Sequence, residues 1–213
     1  MISNVRICFL LVLVAFAAQA QEAVTVLERS EIALGSATAP SKRALRLTLA
    51  YLEGSGWTSE QIVDAAKQSA RVLGQCGVTL EAADLVRIAA PIRFQYFLTP
   101  MSRELARILE LRKPTVYFVS GTLQHPAFDA EAIGRGNSRM RPELSDTVWI
   151  TRGTRDLGIA LAHELAHVLM DSGEHSDAPG NLMREETGPE NTNLTDAQCA
   201  RLRDTGLANG LVR

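Results

Sequence analysis

Three of the four histidines in the chain fall within residues 153–183. The run His163-Glu164-Leu165-Ala166-His167 sets two imidazoles four residues apart, with a carboxyl group beside the first. On a helix each residue advances by about 100°, so His167 stands about 40° round from His163 and Glu164 about 60° beyond His167. All three side chains share one face. Residues four apart lie about 5–6 Å from each other at Cβ, which lets both imidazoles bind one zinc ion at about 2.0–2.1 Å. Glu164 is then left beside the ion to handle protons rather than to bind it. A catalytic zinc takes three protein ligands and leaves its fourth position to water, so a third donor is required. On an uninterrupted helix His175 would lie about 12 Å further along the axis than His167, too far to share the ion. The helix must therefore stop first, and Asp171-Ser172-Gly173 offers a reversal in which Gly173 tolerates the left-handed conformation. His175 is the first choice for the third donor, with Asp171, Glu174 and Asp177 as nearby substitutes.

The stretch HELAHVLMDSGEHSD followed by GNLM resembles the metzincin arrangement of zinc peptidases: a zinc helix, a turn, a third histidine and a methionine-containing turn. The resemblance implies that His163, His167 and His175 hold one Zn2+ ion, that Glu164 is the general base, and that Met183 is the Met-turn residue beneath the metal. Two departures stand out. Met170 occupies the position usually held by glycine, and seven residues rather than five separate His167 from His175. The motif-level resemblance is confined to residues 163–183, whereas the order of elements is similar over residues 43–207. It implies an α+β fold, a twisted mixed β-sheet packed on an N-terminal helix and the zinc-binding helix, with a C-terminal helix.

The elements that must position this cluster can be read from periodicity. Leu45, Leu47, Leu49 and Tyr51 alternate along Arg43 to Leu52, which predicts a strand. Thr58 and Gln61 form a capping box that opens a helix to about Leu73, with Ile62, Ala65, Ala66, Ala70 and Leu73 as its buried stripe. Val78 to Ala90 reads as one or two strands. Thr99-Pro100 begins a shorter helix, about Met101 to Arg112. Thr115 to Ser120 and Asp146 to Thr151 are β-prone runs, the second leading directly into an amphipathic zinc helix. Between them Ala132, Ile133, Gly134, Arg135 and Gly136 read as an irregular edge strand whose unpaired backbone can bind an extended peptide. Thr195 and Gln198 form a second capping box, opening a helix through about Leu207. His125 reads as an exposed loop residue.

The first residues carry Arg6, an apolar run from Ile7 to Ala18 and the small-x-small site Ala18-Gln19-Ala20, the pattern of a secretory signal peptide over residues 1–20. Residues 21–40 end in Gly, Ser, Ala, Thr and Pro and read as a flexible segment or short propeptide, leaving residues 41–213 as the catalytic domain. The whole chain has 22 basic and 24 acidic residues, and the leader holds one basic residue and no acidic one, so the exported part carries a net charge of −3. That balance argues against nucleic acid as a partner. After signal cleavage no membrane association is expected, and the protein is expected as a secreted or periplasmic monomer. Two of the three cysteines, Cys76 and Cys199, lie outside the leader, and an oxidising compartment favours a disulfide between them. These features point to a zinc-dependent endopeptidase acting on a peptide or protein substrate. The alternatives are a zinc-dependent amidase on a non-protein amide and a zinc-stabilised peptide-binding protein that does not cut.

Overall fold

The computed structural model describes residues 23–35, 43–123, 132–135 and 142–213. In chain order the elements are β1 (Thr25–Ala33), β2 (Ala44–Leu52), α1 (Ser59–Gly74), β3 (Thr79–Ala89), β4 (Tyr96–Phe97), α2 (Thr99–Leu109), β5 (Thr115–Phe118), β6 (Gly121–Thr122), β7 (Ala132–Arg135), β8 (Thr147–Ile150), α3 (Leu157–Met170) and α4 (Asp196–Ala208). Six strands form one twisted mixed sheet in the order β1-β3-β2-β5-β8-β7, and β4 pairs with β6 apart from it. The four central strands run parallel. Both edge strands are antiparallel to their neighbours.

The central strands are apolar on both faces because both faces are covered. In β5 and β8, Val116, Phe118, Val148 and Ile150 enter a core shared with α1, α3 and α4, whereas Tyr117 and Trp149 point into a second core beneath α2. Leu45, Leu47 and Leu49 of β2 join the first core, and Ala50 and Leu52 the second. Helix α1 opens on the Thr58/Gln61 capping box and buries Ile62, Ala65, Ala66, Ser69 and Leu73, so Ser69 rather than the half-buried Ala70 completes the stripe. At its far end Cys76 is disulfide-bonded to Cys199 in the first turns of α4, with the Cα atoms 4.8 Å apart.

Other expectations need correction. Residues 25–33, read as part of a flexible segment, form β1, held by its backbone ladder to β3 and by ion pairs from Arg46 to Glu31 and from Arg87 to Glu28. Nearly every residue of β1 is exposed, so no apolar alternation marked it as a strand. Of the one or two strands expected over Val78 to Ala90 the chain forms one, β3, which pairs with a neighbour on each side. Helix α3 is not amphipathic: every residue from Gly158 to Met170 is buried, because sheet, α1 and α4 enclose it. Helix α2 also starts at Thr99 and stops at Leu109, where Glu110 takes a left-handed conformation with φ 43°. The leader, His125 and Gly136 lie outside the described residues.

Candidate metal centre

Strand β8 delivers the chain through residues 151–156 into α3, and the last two turns of that helix carry His163, Glu164 and His167, all buried. The helix ends where Asp171 adopts the left-handed conformation at φ 46°, with its N–H donating back to the carbonyls of His167 and Val168. An aspartate can take this conformation singly. The reversal thus occurs at Asp171, whereas the sequence pointed to Gly173, whose φ is not positive.

The reversal returns His175 to the helix. Its Nε2 lies 3.2 Å from His167 Nε2, which in turn lies 2.9 Å from His163 Nε2. Among the described residues His163, His167 and His175 form the group able to hold a metal ion, with all their candidate ligand atoms within 4.8 Å of one another. The first two are buried and His175 is exposed, so the cluster reaches the protein surface at His175.

The donor chemistry fits a cation. His163 Nδ1 lies 2.7 Å from the Leu182 carbonyl and His167 Nδ1 lies 2.6 Å from the Ser172 carbonyl. A carbonyl only accepts, so each Nδ1 carries the proton and each Nε2 turns an unprotonated lone pair inward. Lone pairs this close repel unless something positive lies between them. Ligand atoms of a tetrahedral zinc ion at about 2.0–2.1 Å stand roughly 3.4 Å apart, near the separations found here. Burial disfavours the imidazolium form of both helical histidines. It lowers the pKa of His163, against the opposing pull of the Leu182 carbonyl, and lowers that of His167 to about 4, assisted by the neighbouring His163. Both therefore offer neutral imidazoles at physiological pH.

Met183 is buried in the core shared with α3, and its carbonyl accepts from Ser176 N–H at 2.8 Å, joining the segment after His175 to the methionine turn. Asp177 and Arg184 close the same loop, with Arg184 Nη1 donating to the Asp177 carbonyl at 3.0 Å. Of the alternative donors, Asp171 caps the helix and Glu174 pairs with Arg201 of α4 at 2.7 Å. Neither they nor Asp177 join the metal-capable group. Strand β7 is the last strand of the sheet and lies against α3, which brings residues 132–135 beside the histidine helix.

Sequence reasoning missed the carbonyls of Leu182 and Ser172, which orient two of the imidazoles. Backbone acceptors carry no residue-type signal. It also missed Asn181, whose amide closes the turn, although the capping-box Gln198 it bonds was in view for another reason.

No protein-family model matches the chain, and no curated protein matches it. Among solved structures it is similar to metalloproteinase-II from Bacteroides fragilis, with a TM-score of 0.55 at 15% identity, over 80% of this chain and 55% of that one. The likeness is one of fold, and this chain spans little more than half the length of that protein.

Proposed function

We propose that the chain is an exported zinc-dependent endopeptidase of the metzincin kind. The observation that carries this reading is the convergence of three imidazole Nε2 atoms, two of them fixed as lone-pair donors by carbonyls behind the rings. The fold shared with a metalloproteinase supports it. His163, His167 and His175 hold the ion, and Met183 supplies the methionine turn beneath it. Zinc, when bound, supplies a Lewis acid that polarises a peptide carbonyl and acidifies water.

Glu164, buried beside His163 on the same helix, takes a proton from the attacking water on its carboxylate and delivers it to the nitrogen of the departing amine. Both transfers use one carboxylate, so no second acid is needed. Residues 132–135, on the strand that ends the sheet among the described residues, bind the substrate in extended form together with Gly136, and backbone pairing makes recognition partly independent of substrate sequence. The Cys76–Cys199 disulfide suits an oxidising compartment, and no helix among the described residues is long and apolar enough to cross a membrane.

The test is hydrolysis of a peptide mixture by the zinc-loaded protein and by Glu164→Gln. We expect the variant to keep its zinc and to lose activity by about 10²–10⁴-fold, the usual contribution of a general base. Unchanged cleavage would remove Glu164 from the mechanism, and no cleavage by either protein would favour a peptide-binding role.

A further inference from the structure

We infer that Asn181 is a positioning residue for the histidine cluster, acting with Gln198 to hold the Leu182 carbonyl against His163. The inference rests on the zinc reading for its consequence, though the arrangement itself is independent of any metal.

Asn181 is 4% exposed, and a buried amide costs free energy unless its hydrogen-bonding capacity is met. Its side chain uses three of its four bonding positions. Oδ1 accepts from the Met183 backbone N–H at 2.9 Å and from Gln198 Nε2 at 3.2 Å, while Nδ2 donates to Gln198 Oε1 at 2.9 Å. Between these two anchored residues lies Leu182. Its N–H donates to the Asn193 carbonyl at 2.7 Å, and its own carbonyl receives His163 Nδ1. The acceptor that selects the His163 tautomer thus belongs to a residue pinned on either side by one amide.

Gln198 is a firm anchor because its position is fixed for other reasons. Its Oε1 also accepts from Thr195 N–H at 2.8 Å, completing the capping box of α4. The next residue, Cys199, is disulfide-bonded to the end of α1. Gln75, also at the end of α1, donates to the Thr192 carbonyl at 2.8 Å and accepts from Leu194 N–H at 2.8 Å, bracing the segment around Asn193 whose carbonyl receives the Leu182 N–H. A line of contacts therefore runs from the α1–α4 junction through the amide pair to the ring of His163. An apolar residue at 181 could fill the space but could not fix the turn.

The experiment measures zinc affinity by competition with a chelator for the parent, Asn181→Ala, Gln198→Ala and the double variant. A second readout is the imidazole ¹⁵N spectrum of the metal-free proteins at pH 8, which reports the His163 tautomer. We expect each single variant to bind zinc about tenfold or more weakly, as for other partners that orient metal ligands, and the double variant to lose little more, since the pair acts as a unit. The metal-free parent should show His163 protonated at Nδ1 alone, and Asn181→Ala a mixture of tautomers. Asn181→Asp, which keeps the acceptor but loses the donor, should fall between them and carries the test if the alanine variant does not fold. Thr58→Ala removes the N-cap of α1 and controls for lost stability; its zinc affinity should equal the parent's. Parental zinc affinity together with a parental His163 tautomer in Asn181→Ala would overturn the inference. A parent that binds no zinc would defeat the metal reading alone, and the tautomer comparison would still decide the role of Asn181.

Discussion

At the scale of single residues, the histidine cluster depends on imidazoles that resist protonation. Burial holds the His167 pKa at about 4 in the metal-free folded protein, against 6.5 for an unperturbed histidine. Between those values the unfolded chain binds the proton and the folded chain does not. Stability therefore rises with pH across this window and is lost as pH falls from above 6.5 towards 4. We expect the unfolding free energy of the metal-free protein, measured in urea, to drop between pH 7.5 and pH 4.5, by an amount on the order of 1–3 kcal/mol from this group. A smaller drop is expected in His167→Gln, which removes the titrating ring; equal drops in both proteins would show that other groups control the acid transition. Residue type and spacing in the sequence were enough to pick out His163, His167 and His175, which the fold brings together as a group able to hold a metal ion. The carbonyls of Leu182 and Ser172 were not legible, since any residue can present one and only the fold decides which does.

At the scale of elements, α3 must lie close enough to α1 and the sheet for its histidines to be held rigidly. Gly158 marks a close approach: an added Cβ would come within 2.5 Å of Gln68 Cβ, with Gln68 Oε1 closer still, on α1. Alanine is the better helix former by about 1 kcal/mol, but forcing the helices apart costs typically 1–3 kcal/mol. Gly158→Ala should therefore lower the thermal midpoint despite its propensity gain, and Gln68→Ala should restore part of the loss when combined with it. Strict additivity in that double-mutant cycle would mean that the two residues do not meet. Both capping boxes were legible because Thr58 with Gln61, and Thr195 with Gln198, encode a local structure by themselves. The end of α3 was not, because aspartate and glycine can both reverse a helix and the sequence favoured Gly173 over Asp171. The enclosure of α3 was equally hidden, since an all-apolar helix face is set by neighbours distant in sequence.

At the scale of the whole molecule, the sheet separates its two edges by four strands, with β7 beside the histidine helix at one end and β1 at the other. The strands that pass through both cores were readable from their apolar runs. The order in which they pair was not, because parallel strands meet through connections that say nothing of register. β1 escaped notice for a related reason: it is held by backbone pairing and surface ion pairs, neither of which leaves an apolar pattern. A chain truncated to begin at residue 36 should therefore unfold at a lower temperature, having lost an edge strand, yet cleave peptides with the parent's kcat/KM. A large rise in activity on truncation would instead identify the removed segment as an inhibitory propeptide.

The central claim is that three histidines bind one catalytic zinc, and the most direct measurement is zinc per chain in the purified protein beside His175→Ala. We expect one tightly held zinc ion in the parent and a much weakened one in the variant, whose two remaining imidazoles lack the third donor. No zinc in the parent after attempted reloading would contradict the metal centre, and undiminished binding in His175→Ala would contradict the three-histidine site.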